Sequence, residues 1–343
     1  MRIAIVKLSA LGDIVHAMSV LQFIKNFNNE ILIDWVVEES YAELLELNPN
    51  ISQIHLVNFK KAKKKKSLTI LLSELNKVRK LAPYDMVIDL QGLIKSALIA
   101  KLIKSKKTIG FDKDSSREGI ASFFYTDKFN FDYSKNVIER NYSLIEFALG
   151  LSIGKKQINT KAPFLFPSSN QLNIRLSKIK KNILLIPGAS HISKCYPPSK
   201  FAKLTRLIDA NFLVIWGNLD EKVMAEKIKE LSPEVEICNK QSIDSLILLI
   251  SLVDLVIGPD TGPTHIAWAL NVPSIILFGP TPGYRNTYQT PINRIIESES
   301  RVNPMKINKG DFSIKNIDVC LLYTSDAADD SLRVDLGGRR IIK

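Results

Sequence analysis

The chain has 343 residues, 45% of them hydrophobic, and a formal charge of +12; it is long enough for two domains, since single cores rarely grow beyond about 250–300 residues. No apolar run reaches the roughly 18–20 residues needed to cross a bilayer, and Lys7 interrupts the first one too early for a secretory signal, so the expected location is the cytoplasm. Cys195, Cys238 and Cys320 form no CxxC pair and four scattered histidines offer no helix-face pair, so neither a disulfide framework nor a structural metal is expected.

Arg2–Leu8 is a nearly continuous apolar run, the pattern of a strand buried on both faces of a parallel sheet. Ser9–Asp13 then turns into a helix whose apolar positions Ile14, Met18, Leu21 and Ile24 follow the helical period, and strand, turn, helix opens a doubly wound fold. The alternation continues with strands at Ile31–Val37, Gln53–Val57 and Asp85–Leu90, and helices at Tyr41–Leu47, Leu68–Leu81 and Leu93–Ile103. Among them lies a cationic run, Lys60, Lys61, Lys63, Lys64, Lys65 and Lys66. It reads as a solvated loop, as a docking patch for anionic lipid head groups, or as a nucleic-acid contact; without interleaved aromatics, nucleic acid ranks last.

From Thr108 to Asn136 the periodicity weakens, as in a long irregular functional surface. A helix at Val137–Leu149 and the Pro/Ser/Asn passage Pro163–Asn170 mark a domain boundary. Strands then recur at Asn182–Ile186, Asn211–Ile215, Leu255–Ile257 and Ser274–Leu277, separated by helical stretches at Phe201–Ile208, Glu221–Leu231 and Ser242–Leu252. The expected fold class is α/β, with two doubly wound domains, 1–165 and 166–321, facing each other across a cleft. Leu322–Lys343 changes composition abruptly, lacks periodicity and closely resembles the translated read-through of a sequencing adapter. It is expected to be foreign to the fold, the alternative being a disordered natural tail.

The stretch Ile257–Leu270 runs from a strand into a helix start. Free N–H groups, the positive end of the helix dipole and the small Gly262 suit a diphosphate there, with hydroxyls from Thr261 and Thr264; the bland reading is an ordinary turn capped by Asp260. The loop Pro187–Lys194 offers backbone donors, Ser190, Ser193 and a cationic tip at Lys194, which serves either as a phosphate contact or as a solvated lysine. Glu221 follows the next strand, where a carboxylate bonds a ribose hydroxyl or, beside a capping Asp220, merely complements the helix dipole. Asp13 at the end of the first strand either takes a proton from an acceptor hydroxyl or caps the helix beginning at Ile14. The turn Lys7–Asp13 holds one glycine where the dinucleotide fingerprint needs three, which argues against a dehydrogenase.

Taken together, Lys7–His16, Asp89–Ser96, Lys194 with Pro197, and Asp260–His265 resemble the ADP-heptose:lipopolysaccharide heptosyltransferases, glycosyltransferases of family 9 with the GT-B fold. Arg117–Tyr125 further resembles the heptosyltransferase I branch. The resemblance spans about Met1 to Cys320 and implies inverting, metal-independent transfer of heptose from ADP-heptose, a co-substrate rather than a cofactor, to a Kdo residue of Kdo-lipid A. By the same resemblance Asp13 is the base, and Ser190, Lys194, Glu221, Asp260, Thr261, Gly262 and His265 hold the donor, Asp260 against its heptose. Lys60, Lys61, Lys63, Lys64 and Arg117 meet the anionic acceptor. The enzyme would be a monomer on the cytoplasmic face of the inner membrane. Heptosyltransferase II, or a family member with another donor, stays open, as does a non-catalytic nucleotide-sugar-binding protein, which would not need Asp13. Two departures from the family pattern are Tyr196, where tryptophan is common, and the tail, which stands where the chain usually crosses back onto the first domain.

Overall fold

The continuous apolar runs become interior strands: Ile3–Val6 and Leu255–Ile257 are fully buried, as strands covered by helices on both faces must be. The computed structural model describes residues 1–168 and 174–323, and the chain divides into two units, Met1–Ser168 and Ser169 onward. The end of the boundary passage Pro163–Asn170, and all of the proposed foreign tail beyond Tyr323, lie outside the described residues.

The first unit holds six parallel strands, β1 (Arg2–Val6), β2 (Leu32–Glu38), β3 (Gln53–Val57), β4 (Tyr84–Asp89), β5 (Ser105–Phe111) and β6 (Asp127–Phe129), in the order β3-β2-β1-β4-β5-β6. The second holds β7 (Asn182–Leu185), β8 (Asn211–Val214), β9 (Glu236–Ile237), β10 (Leu255–Pro259), β11 (Ser274–Phe278) and β12 (Asn293–Glu297), in the order β12-β11-β10-β7-β8-β9. Counted within each unit these are the same doubly wound order, and in both the direction of winding reverses between the first and fourth strands. Sheets of this kind bind ligands outside the carboxyl ends of their strands at that reversal. Among the described residues no helix is long and apolar enough to cross a membrane.

Four strands escape the sequence reading. Part of β5 and all of β6 occupy the stretch expected to be irregular, while β9 and β12 complete the second sheet. The first half of β5 is polar and solvated, and β6, β9 and β12 are short or half-exposed edge strands, so none carries an unbroken apolar run. The helix expected at Tyr41–Leu47 is a 3-10 turn, Glu39–Leu44. The lysine run is no loop but part of a helix, Phe59–Lys65. Asn58 caps it by accepting from the Lys61 N–H at 2.9 Å, and Phe59 and Ala62, three apart, are buried beneath it. Lys63, Lys64 and Lys65 fill its last turn, where cations complement the helix dipole.

Candidate active site

In the first unit, β1 leads through Lys7–Ala10 into the helix Leu11–Met18. This helix starts three residues earlier than the Ile14 expected, so Asp13 sits in its first turn and is not its N-cap. Its carboxylate is exposed and accepts the N–H of Ala10 at 3.1 Å. One carboxylate oxygen is thereby fixed at the reversal point of the first sheet while the group stays open to solvent, as a base that must meet an incoming hydroxyl requires.

Beside the lysine helix opens a cavity of about 630 Å³. Phe59, Ala62 and Leu71 give it apolar walls, and Lys60, Lys63, Lys66 and Lys95 also line it. Lys95 pairs at 2.8 Å with the buried carboxylate of Glu38, and Lys60 bonds Ser40 at 2.8 Å and stacks over Tyr41. Lys61 and Lys64 point to solvent and do not line it. Arg117 is exposed on the loop after β5, next to Glu118, whose carboxylate accepts the Ile94 N–H at 2.8 Å. This ties the Arg117 loop to the start of the helix that carries Lys95.

In the second unit the centre is Asp260, at the carboxyl end of β10. Its carboxylate receives Lys194 Nζ at 2.8 Å, Thr281 Oγ1 at 3.0 Å and Asn286 Nδ2 at 3.3 Å on one oxygen, and faces His265 Nε2 at 3.2 Å with the other. Burial works against its charge, but Lys194 and His265 outweigh that and hold the carboxyl well below the usual carboxylate range. The lysine is therefore no solvated tip: it is buried against a carboxylate. Thr281 and Asn286, which the sequence reading missed, belong to the Gly/Pro-punctuated run after β11, and that punctuation was their only signal.

The helix Gly262–Ala269 begins beside this cluster with Thr261 at its N-cap, and Thr261 and Gly262 are half-exposed. Thr264 is no ligand donor, because its buried hydroxyl is turned onto the carbonyls of Thr261 at 2.7 Å and Pro259 at 3.1 Å. Ser190 is exposed on the loop after β7. Asn218, not Asp220, caps the helix Leu219–Leu231. Glu221 lies with its carboxylate across the glycines of two loops, accepting the Gly217 N–H at 2.7 Å. A Cβ on Gly188 would stand 2.3 Å from the Glu221 carboxyl carbon, so a side chain there would push the Glu221 carboxylate out of this position. Tyr196 packs edge-on against Phe201 at 5.2 Å and donates its hydroxyl to the Ile317 carbonyl at 3.0 Å, a bond that holds the last described segment to this loop. Among the described residues no group of three or more His, Cys, Asp or Glu side chains is placed to hold a metal ion.

Two doubly wound units, each with polar groups gathered at its reversal point, form the framework of the GT-B glycosyltransferases. A family model for glycosyltransferase family 9 (heptosyltransferase) matches residues 72–307, and the chain belongs to that family of transferases. It is 41% identical to lipopolysaccharide heptosyltransferase 1 of Campylobacter coli over 93% of this chain and 96% of that protein. Its identity to lipopolysaccharide heptosyltransferase 1 of Escherichia coli K12 is 27%, over 90% and 97% of the two chains. The structure of E. coli heptosyltransferase WaaC with ADP-2-deoxy-2-fluoro heptose shares the fold, with a TM-score of 0.74 at 24% identity over 94% of this chain and 98% of that one.

Proposed function

We propose that the protein transfers heptose, with inversion, from ADP-heptose to a Kdo residue of Kdo-lipid A. The observation that carries this reading is the placement of motif residues at both reversal points: an open carboxylate, Asp13, in the first unit, and Lys194, Asp260 and the Thr261–Gly262 helix start in the second. The similarity to lipopolysaccharide heptosyltransferase 1 of several bacteria supports a lipopolysaccharide acceptor, and the ADP-2-deoxy-2-fluoro heptose bound by E. coli WaaC supports the donor.

Asp13 takes the proton of the acceptor hydroxyl as its oxygen attacks the anomeric carbon and the bond to the diphosphate breaks. Charge growing on the departing ADP is met by the Lys194 ammonium and the helix start, so the step runs without a metal. Glu221 faces the ribose, Asp260 the heptose, with Ser190 and His265 beside the donor. Lys60, Lys61, Lys63, Lys64 and Arg117 hold the anionic acceptor, and the monomer rests peripherally on the cytoplasmic face of the inner membrane.

Two measurements test this. A panel of sugar nucleotides and lipid acceptors, scored by ADP release, should give turnover with ADP-heptose and Kdo-lipid A; turnover only with an acceptor that already carries heptose would assign heptosyltransferase II instead. Asp13→Asn keeps the volume and the Ala10 contact, and is expected to lower kcat by about 10²–10⁴-fold. Retention of more than about a tenth of the rate would remove the base assignment.

A further inference from the structure

At the reversal point of the first sheet the ladder between β1 and β4 ends. The strands pair from Ile3↔Met86 to Val6↔Asp89, and one more bond follows, from the Leu90 N–H to the Val6 carbonyl at 3.1 Å. Beyond it the two chains part, and the N–H groups of Leu8 and Ser9 lose the acceptors the ladder would have given them. The side chain of Gln91 supplies one: its Oε1 accepts from Leu8 N at 2.7 Å and from Ser9 N at 3.3 Å. The next residue, Ala10, donates its N–H to the Asp13 carboxylate.

Gln91 is itself held from behind. The fully buried carboxylate of Asp89 accepts the Gln91 N–H at 2.8 Å and the Gly92 N–H at 3.2 Å on one oxygen. The other takes the Ser96 hydroxyl at 2.7 Å and the Tyr125 hydroxyl at 2.6 Å. Gly92 turns the chain at φ +69°, a backbone conformation that residues with side chains rarely adopt. A chain of hydrogen bonds thus runs from the core to the open carboxylate; the Lys7 ammonium also bridges the two strand ends, donating to the Leu90 carbonyl at 2.9 Å, but it is Gln91 whose side chain accepts the Leu8 and Ser9 N–H groups.

We infer that Gln91 is a positioning residue for Asp13: it fixes the backbone of Leu8 and Ser9, and through Ala10 the carboxylate, and touches no substrate itself. The inference rests on the reading of Asp13 as the base. A misplacement of a reacting group by about 1 Å can cost 10²-fold in rate, so the expected loss is large for a residue outside the chemistry.

The test compares Gln91→Met, which keeps length but removes the acceptor, with Gln91→Glu, which keeps an accepting oxygen, in the full chain with ADP-heptose and Kdo-lipid A. Gln91→Met is expected to lower kcat by about 10–100-fold with the ADP-heptose KM within about twofold, and Gln91→Glu to recover most of that rate. Hydrogen exchange of the Leu8 and Ser9 amides should quicken in Gln91→Met while the rest of β1 stays protected. In the Asp13→Asn background, where no base is left to position, adding Gln91→Met should change the residual rate by less than about twofold. A second full loss in that background would make Gln91 a merely structural residue and overturn the inference, as would quickened exchange with an unchanged kcat. Asp13→Asn alone keeps its separate meaning: near-normal turnover there removes the base reading, and with it the purpose assigned to Gln91.

Discussion

At Lys194 and Asp260 the stability of a buried ion pair and the proposed contact with the donor can be separated. Both side chains are about nine-tenths buried, and removing one partner of such a pair strands the other charge at a cost of about 3–5 kcal/mol. Lys194→Met should therefore lower the melting temperature as well as raise the ADP-heptose KM. Adding Asp260→Asn removes the stranded charge and should restore most of the stability but none of the donor affinity. A double variant no more stable than Lys194→Met would show that the pair does not carry this energy. Because the Asp260 carboxyl is held below its ordinary range, the contribution is complete above about pH 4 and is lost only as the pH falls further. Lys161 has the opposite character. It is 5% exposed, and burial draws its ammonium from the ordinary 10.5 down to about 7. Between those values the unfolded chain binds a proton that the folded one does not, so stability rises with pH across the window. Lys161→Met should flatten this rise of stability between about pH 7 and 10.5, and a rise unchanged in that variant would exclude Lys161 ionisation as its cause.

Among the elements, the helix Phe59–Lys65 gives the cationic run a fixed direction. Buried Phe59 and Ala62 anchor one side; Lys61, Lys64 and Lys65 are exposed and stand away from the cavity, while Lys60 and Lys63 lie along its lining. Each lysine near an anionic bilayer contributes about 1 kcal/mol. Changing Lys63, Lys64, Lys65 and Lys66 to Gln should weaken sedimentation with anionic vesicles and raise the KM for the lipid acceptor, leaving that for ADP-heptose little altered. Vesicle binding unchanged in low salt would return the helix to an ordinary solvated face. This element also shows where sequence reading stops. A run of lysines has no apolar period, and its helicity depends on Asn58 at one end and on two buried residues among the charges. Interior strands such as β1 and β10 were legible because both faces are apolar, whereas β6 and β9, at the sheet edges, offered no such run. The site divides the same way. Asp13, Lys194 and Asp260 stand at strand ends marked by Gly and Pro, but Thr281 and Asn286 reach Asp260 from 21 and 26 residues away, a meeting only the folded sheet makes.

For the whole molecule, the chain's last described segment bears on where the proposed foreign tail begins. The foreign tail was expected to begin at Leu322, yet Leu322 is fully buried in the core of the second unit with Ile314, Ile317 and Val319. The helix Val319–Tyr323 that carries it packs against the helix Pro198–Thr205, and Lys200 donates to the Ile317 carbonyl at 2.6 Å alongside Tyr196. This segment therefore closes the core directly behind the loop that presents Lys194. Leu322→Ala is expected to cost about 3 kcal/mol, the middle of the range for a buried leucine, which lowers the melting temperature by roughly 6–12 °C for a unit of this size. Truncation after Leu321 should do at least as much and should raise the ADP-heptose KM, since the Lys194 loop loses part of its support. Truncation after Tyr323 removes only residues 324–343, whose sequence carries no periodic apolar face, and should leave the melting temperature within about 2 °C, as surface changes away from packed features do. Melting curves of the three variants beside the full chain decide between the two boundaries. A fall of several degrees on truncation after Tyr323 would make the remaining residues a working part of the fold, and no change on truncation after Leu321 would mean that Leu322 does not close the core.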